Sequence, residues 1–139
     1  MNVRVNPWES IISEERVQQL YAAGMHRYGH VPARPRPDCL QQCLGNAWTA
    51  EQYLQEEQGV SAGLVFAVRL MCYLVGDHCY TDGNKRVAWA SMTYVLRHHG
   101  LDIQATDDEA QTFVETLLRH DITQDDALTW VASRLAEAT

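Results

Sequence analysis

The segment that most constrains the fold is the apolar stretch of residues 61–77. Apolar side chains recur here at helical spacing and form one face of a helix: Leu64, Ala67, Val68, Met71, Leu74 and Val75. Three further apolar residues widen this face: Phe66, Leu70 and Cys72. A helix that is apolar on most of its sides has to be covered by its neighbours. The stretch therefore predicts a central helix against which the rest of the chain packs.

The remaining helices are predicted from their caps and their apolar periodicity, and no run of useful length alternates with the period of a strand. The predicted segments are a helix from an N-cap at Ser13 to near Gly29, one from Asp38 that is short or interrupted at Gly45, residues 85–99 with Gly100 as C-cap, residues 107–120, and a last helix from a capping box at Thr123 through Leu135. Three prolines exclude a regular helix from residues 31–37, whose two arginines are interpreted as solvated charges. The fold class is thus all-α, in a single domain of residues 1–139.

Composition limits the function classes. Apolar residues make up 46% of the 139 residues and charged residues 21%, as in an ordinary globular domain. The net charge of -7 argues against a protein that binds nucleic acid directly, since such binding depends on neutralising phosphates. No apolar run has the length of a membrane span, and residues 1–10 lack the apolar core of a signal peptide. We therefore expect a cytoplasmic protein that does not bind membranes.

Residues 78–86, directly after the central helix, read His-Cys-Tyr-Thr-Asp-Gly-Asn-Lys-Arg. This pattern predicts a helix–loop–helix whose second helix begins at the Gly83-Asn84 pair. The first N–H groups of that helix have no intrahelical partner, and the macrodipole adds positive charge, so the junction can hold phosphate. Lys85 and Arg86 are poorly placed for their own helix dipole, which is understandable if an anion lies between them.

Two side chains of the same stretch could carry chemistry. The imidazole of His78 is the one side chain of the stretch whose type suits proton transfer near neutral pH, and Asp82 is a hard oxygen ligand for a magnesium ion that bridges phosphates. The alternative is structural: Asp-Gly-Asn is common turn chemistry, and a single His at a helix end usually has no catalytic role.

The four cysteines allow two interpretations. Cys39 and Cys43 lie four residues apart and would share a helix face, so that a metal-binding pair is conceivable. No cluster of Cys or His with zinc spacing follows them, however. We therefore predict that both residues, together with Cys72 and Cys79, are buried free thiols, which behave as small apolar side chains.

The order of residues 78–86 resembles the signature of the Fic/Doc family, His-x-Phe-x-(Asp/Glu)-(Gly/Ala)-Asn-(Gly/Lys)-Arg, with Tyr80 in place of Phe. The last three residues of the motif, Asn-Lys-Arg, are similar to those of the death-on-curing (Doc) toxin branch, whereas adenylyl-transferring members have Asn-Gly-Arg. The likeness extends to residues 27–29 and 96–100 and covers about residues 13–135. It implies a Fic-like helical bundle around the central helix–loop–helix. It also implies a small β-hairpin flap within residues 48–61 that clamps the target polypeptide, although that window could equally continue the preceding helix.

The resemblance implies a role for each residue of the motif. His78 would be the general base that accepts the proton of a hydroxyl group, and Asp82 would ligate Mg2+. Gly83 and Asn84 would form the anion-holding turn, and the phosphate oxygens of ATP or another nucleoside triphosphate would be held by Lys85 and Arg86. Tyr80 is expected to anchor the loop in the core, where its hydroxyl group would need a partner.

Two positions bear on which group is transferred. Lys85 stands where adenylyl-transferring members have a small Gly, and Trp89 stands where they have a second Arg that holds the terminal phosphate. Doc toxins share both features. The resemblance therefore implies a kinase-like toxin of a toxin–antitoxin module, which phosphorylates a protein such as elongation factor Tu on a threonine and inhibits translation. A Fic-type protein adenylyltransferase and a catalytically inactive Fic-fold binding module are the alternatives.

Control of such an enzyme is expected to come from a second protein. Some Fic proteins carry an inhibitory helix of the form (Ser/Thr)-x-x-x-Glu-(Gly/Asn); Ser10 and Glu14 have its spacing, but Glu15 follows where Gly or Asn is needed. We therefore expect a cognate antitoxin whose tail folds on binding. Apolar surface at Trp8 or Trp48 is predicted to receive it.

Overall fold

The computed structural model describes residues 6–58 and 63–138, apart from the side chains of residues 54–58. After a 3-10 turn at Pro7–Ser10, the elements in chain order are α1 (Glu14–Arg27), α2 (Cys39–Gln58), α3 (Leu64–Gly76), α4 (Asn84–His98), β1 (Leu101–Ile103), α5 (Asp107–Leu118), α6 (Gln124–Ala132) and β2 (Leu135–Glu137). The prediction of an all-α fold is confirmed, and a small antiparallel pair of strands accompanies the helices.

The helix α3 is the centre of the bundle, as its apolar periodicity predicts. Ten of its thirteen residues are buried. It packs against α2, α4, α5 and α6, and α1 packs against α4 and α2. Burial on every side explains why this segment is apolar nearly all round. None of the helices in the described residues is both long enough and apolar enough to cross a membrane.

Local capping signals place most helix ends correctly. The Ser13 hydroxyl accepts a hydrogen bond from the Arg16 N–H at 3.0 Å, and Thr123 forms a capping box with Asp126. The last helix nevertheless ends at Ala132, so that its predicted extension through Leu135 is wrong. Leu135 instead begins β2, which pairs antiparallel with β1.

The predicted interruption of the second helix at Gly45 is wrong, because α2 runs without a break from Cys39 to Gln58. Trp8 packs against this position: a Cβ added to Gly45 would lie 3.5 Å from Trp8 Cη2. This distance is an ordinary van der Waals contact, so the indole does not require a glycine here. The packing of α2 against α3 outweighs the low helix propensity of a single glycine. The described part of the window in which a flap is predicted is also helical, and residues 59–61 lie outside the described residues.

The small sheet does not correspond to that flap. Its strands lie after the motif and are separated from each other by α5 and α6, with Leu101 opposite Glu137 and Ile103 opposite Leu135. The sheet therefore joins the segment that follows α4 to the C-terminal end of the bundle.

The two tryptophans predicted to receive an antitoxin are largely packed inside the protein. Trp8 is only 9% exposed, so the prediction that it offers apolar surface is wrong. Trp48 is partly buried and meets Phe66 edge-on, with ring centroids 5.6 Å apart.

A buried acid, Glu51, fixes the start of the central helix. Its side chain is 3% exposed, and its carboxylate accepts hydrogen bonds from the backbone N–H groups of Gly63, at 2.7 Å, and Phe66. These groups lie at the N-terminal end of α3, where a negative charge is favourable. A side chain of α2 thus supplies the cap that the local sequence of α3 lacks.

We predict that Glu51→Ala lowers the free energy of unfolding by roughly 3 kcal/mol, because two buried donors lose a carboxylate acceptor. Urea denaturation measures this difference. Gln42→Ala, at an exposed position of the same helix, is the matched control and should change stability by less than about 0.5 kcal/mol. Equal effects of the two substitutions would contradict the capping role of Glu51.

Candidate active site

The loop between α3 and α4 carries the motif, and its backbone turns at two left-handed positions. His78 has a φ of 50° and Gly83, the N-cap of α4, a φ of 80°. A Cβ on Gly83 would lie 3.1 Å from Met25 Sδ and 3.2 Å from Tyr21 Cε1, both on α1. Gly83 is therefore required both by its backbone conformation and by the close approach of α1.

The side chain of Asn84 closes the loop. Its Nδ2 donates to the carbonyl of Tyr80 at 2.8 Å, and its Oδ1 accepts from the Tyr80 N–H at 3.0 Å. The amide group is thus used to shape the turn, and only the backbone of Asn84 is left to face an anion. The helix α4 begins at Asn84, as predicted, and its N-cap residue, Gly83, has no side chain with which to cap the first turn. Its first N–H groups have no partner within the helix.

Tyr80 anchors the loop in the core, which confirms the prediction for this residue. Its ring is 3% exposed and stacks on Tyr21, with centroids 3.6 Å apart and an angle of 6° between the planes. Burial raises the pKa of Tyr80 well above its ordinary value. Within the described residues, its buried hydroxyl has no hydrogen-bond partner.

Arg36 holds the loop from outside, a role that the sequence interpretation missed. Its Nε donates to the carbonyl of His78 at 3.1 Å, its Nη2 donates to the carbonyl of Asp77, and its backbone N–H donates to the carbonyl of Cys79 at 2.8 Å. Three consecutive carbonyls are thus fixed by one residue, including that of the left-handed His78. The flanking prolines were a signal for a rigid, extended segment, but they do not indicate which loop it meets.

A disulfide between Cys39 and Cys79 forms a second tether, from the start of α2 to the motif loop. The prediction of four free thiols is therefore wrong for these two residues. They are separated by 40 positions, so that only the folded chain brings them together. Cys43 and Cys72 are free and buried, as predicted, and burial raises the pKa of Cys72 to about 12.

His78 and Asp82, the predicted base and the predicted metal ligand, are both exposed on this tethered loop. The Oδ1 of Asp82 accepts the N–H of Gly83 at 2.7 Å. An imidazole and a carboxylate are therefore presented to solvent beside the N-terminus of α4. The chemistry of this arrangement suits proton transfer next to a bound anion.

The two cations of the motif point in different directions. The Nζ of Lys85 lies 2.8 Å from Oε2 of Glu115 on α5. The guanidinium of Arg86 lies over the ring of Tyr28, 4.1 Å from its centroid, next to the end of α1. The hydrogen bond and the charge of Lys85 hold the pKa of Glu115 below its ordinary value.

The profile of the Fic/DOC family matches residues 11–96. This match spans more than half of the 139 residues and contains α1, α2, α3 and the motif loop. The chain belongs to the Fic/DOC family. The match is shorter than the predicted extent of residues 13–135, since it ends within α4. No curated protein matches the chain.

Membership of the Fic/DOC family indicates an enzyme that transfers a nucleotide-derived group to a protein. The position at which adenylyl-transferring Fic proteins have a second Arg is taken here by a partly buried tryptophan packed against the core. Trp89 meets Phe113 and Trp130 edge-on, with ring centroids 6.5 and 6.4 Å away. Because Phe113 also stacks on Trp130 at 3.9 Å, the three rings join α4, α5 and α6.

A cleft of about 690 Å³ lies on the α1 side of the Fic motif. Its walls include Tyr21, Tyr80 and Glu14, together with the proline-rich residues 32–38. The six candidate site residues do not line it. The predicted phosphate-binding residues and the predicted base are therefore found on the neighbouring surface and not inside this cleft.

We predict that Gly83→Ala lowers the free energy of unfolding by about 1–2 kcal/mol from the left-handed backbone alone, and further through contact with Met25. Gly76→Ala is the matched control, because a Cβ at that helical position meets nothing within 4 Å. The control should be neutral or stabilising by up to about 1 kcal/mol. Chemical denaturation of both variants tests this contrast, and equal shifts would contradict it.

We predict that Lys85→Met raises the pKa of Glu115 towards its ordinary value, because the ion pair with Lys85 is what lowers it. In the native protein, the stabilisation from this pair is present at neutral pH and is lost as the pH falls through the lowered pKa. Side-chain carboxyl NMR titration measures the change. The pKa of Glu109, lowered by Thr106 and Arg134, should not move in the same variant.

Proposed function

We propose that the protein is a Doc-type phosphotransferase: a toxin that moves the terminal phosphoryl group of ATP to a hydroxyl group of a target protein. The target is a threonine of an elongation factor Tu-like protein, translation is inhibited, and a cognate antitoxin restrains the activity. One observation supports transfer of a phosphoryl group over transfer of an adenylyl group: Trp89 packs in an aromatic cluster with Phe113 and Trp130.

The argument depends on where a triphosphate finds positive charge. In adenylyl-transferring Fic proteins, an Arg at the position of Trp89 holds the terminal phosphate. An indole packed against two other rings supplies no charge there. The long side chain of Lys85 also occupies the position of a small glycine. Both features favour an orientation in which the terminal phosphoryl group faces the target hydroxyl.

The exposed residues of the motif suit this reaction. The oxygen of the target hydroxyl attacks the terminal phosphorus, its proton passes to His78, and ADP leaves. The uncapped N-terminus of α4 and the side chain of Arg86 would bind phosphate oxygens. Asp82, an exposed carboxylate beside this terminus, fits as a ligand of Mg2+, which neutralises phosphate charge when it is bound.

Lys85 can join that site by exchanging its partner. Its ion pair with Glu115 is exposed at both ends, with side chains 54% and 40% accessible. Exposed pairs of this kind contribute little net stability, so a phosphate can compete with the carboxylate. A second candidate function is an inactive Fic-fold binding module. The observation that favours it is that the side chains of Lys85 and Arg86 point in different directions and contact different partners.

We predict that incubation with ATP labelled on the γ-phosphate transfers label to one protein of a bacterial lysate, whereas α-labelled ATP transfers none. His78→Ala should abolish the signal, because no base then accepts the hydroxyl proton. His98→Ala, an exposed histidine in the last turn of α4, is the matched control and should leave labelling unchanged. Label from the α-phosphate would support adenylylation, and no label from either nucleotide would support the binding module.

A further inference from the structure

Three of the four cysteines form one buried cluster beside the candidate site. The sulfurs of Cys39, Cys43 and Cys79 all lie within 4.8 Å of one another, and the residues are 4%, 0% and 1% exposed. Cys39 and Cys43 are one turn apart on α2, and Cys79 is contributed by the motif loop. Cys39 and Cys79 are joined as a disulfide, and the Sγ of Cys43 lies 3.8 Å from that of Cys79.

A carboxylate, that of Asp77, lies beside one sulfur of this cluster. The Cys43 thiol donates to Oδ2 of Asp77 at 3.4 Å, and the Sγ of Cys39 lies 4.0 Å from the carbonyl oxygen of the same aspartate. Three sulfurs and one carboxylate oxygen are a donor set suited to zinc. With Zn–S bonds of about 2.3 Å, two sulfurs of a tetrahedral site are about 3.8 Å apart, which is the separation of Cys43 and Cys79.

We propose that the reduced protein binds one Zn2+ ion through the sulfurs of Cys39, Cys43 and Cys79 and the carboxylate of Asp77. The disulfide form and the metal form exclude each other, because both use Cys39 and Cys79. The cluster thus has two covalently distinct states. Oxidising conditions favour the disulfide form, and reducing conditions favour the metal form. This site is independent of the proposed transferase activity.

The conversion balances in electrons and protons. A dithiol reductant delivers two electrons and two protons to the Cys39–Cys79 bond and becomes a disulfide itself. The zinc ion then displaces the three thiol protons into solvent. The guanidinium of Arg36, whose Nη2 lies 3.5 Å from the Sγ of Cys39, offsets part of the remaining negative charge. The exposed residues 36–38 directly precede Cys39, so the ion has a short path from solvent.

Both states keep the motif loop tied to α2. In the disulfide form the tether is the Cys39–Cys79 bond, and in the metal form it is the ion shared by α2 and the loop. In the metal form, His78 lies between two of the four ligands, Asp77 and Cys79, so its backbone is fixed on both sides, whereas the disulfide fixes it on the Cys79 side alone. The metal form also recruits Cys43, which makes no covalent bond in the oxidised protein.

The test uses the full chain, reduced with a phosphine under anaerobic conditions and titrated with Co2+ as a spectroscopic substitute for zinc. We expect one Co2+ per chain, with the intense visible bands of a tetrahedral site and thiolate-to-metal charge transfer. The disulfide form should show neither. Metal analysis after incubation with Zn2+ alone should give one equivalent in the reduced protein.

Two cysteine variants decide whether the cluster is the ligand set. Cys43→Ala, which can still form the disulfide, should lose the tetrahedral spectrum and at least tenfold in Co2+ affinity. Cys72→Ala, the free buried cysteine outside the cluster, should bind as the native protein does. Cys43→Ser serves the same purpose if the alanine variant fails to fold. Equal metal binding by the Cys43 variant and the native protein, or no binding by reduced native protein, would overturn the proposal.

Discussion

The structure depends on covering α3 from all sides. Because ten of its thirteen residues are buried, this helix can exist only within a bundle, and α2, α4, α5 and α6 supply the cover. The next helix, α4, has to return along α3 after a short connection. The motif loop is that connection, so the candidate site lies directly after the central helix of the bundle.

Several contacts hold that loop in one conformation, and they come from different parts of the chain. Asn84 closes it from within, Tyr80 inserts it into the core, Arg36 binds its outer carbonyls, and Cys79 joins it to α2. A left-handed, non-glycine residue such as His78 costs about 1–2 kcal/mol, and it persists only when its surroundings determine it. The strained residue is also the predicted base, which is consistent with a preorganised site.

Features encoded by neighbouring residues could be predicted, whereas features created by distant contacts could not. The cap at Ser13, the capping box at Thr123 and the start of α4 at Asn84 follow from short-range hydrogen bonding, and each was placed correctly. Gly45 predicts a break in the helix, but the packing of α2 against α3, a segment distant in the sequence, keeps the helix continuous. The cysteine pairing and the bonds of Arg36 likewise depend on chain segments that meet only in the folded protein. The motif itself was recognisable because its residues are contiguous.

The two cations of the motif can change their contacts when a ligand binds, whereas the packed ring of Trp89 cannot. Lys85 and Arg86 leave the helix in different directions, and their partners, Glu115 and the ring of Tyr28, are exposed. Exposed contacts of this kind are weak, so either cation can be redirected to an anion at modest cost. Trp89 differs, because moving its ring would open the packed junction of α4, α5 and α6. The positive charge that the site can gather therefore lies at the start of α4 and not one turn further along it, which restricts where a terminal phosphate can be held.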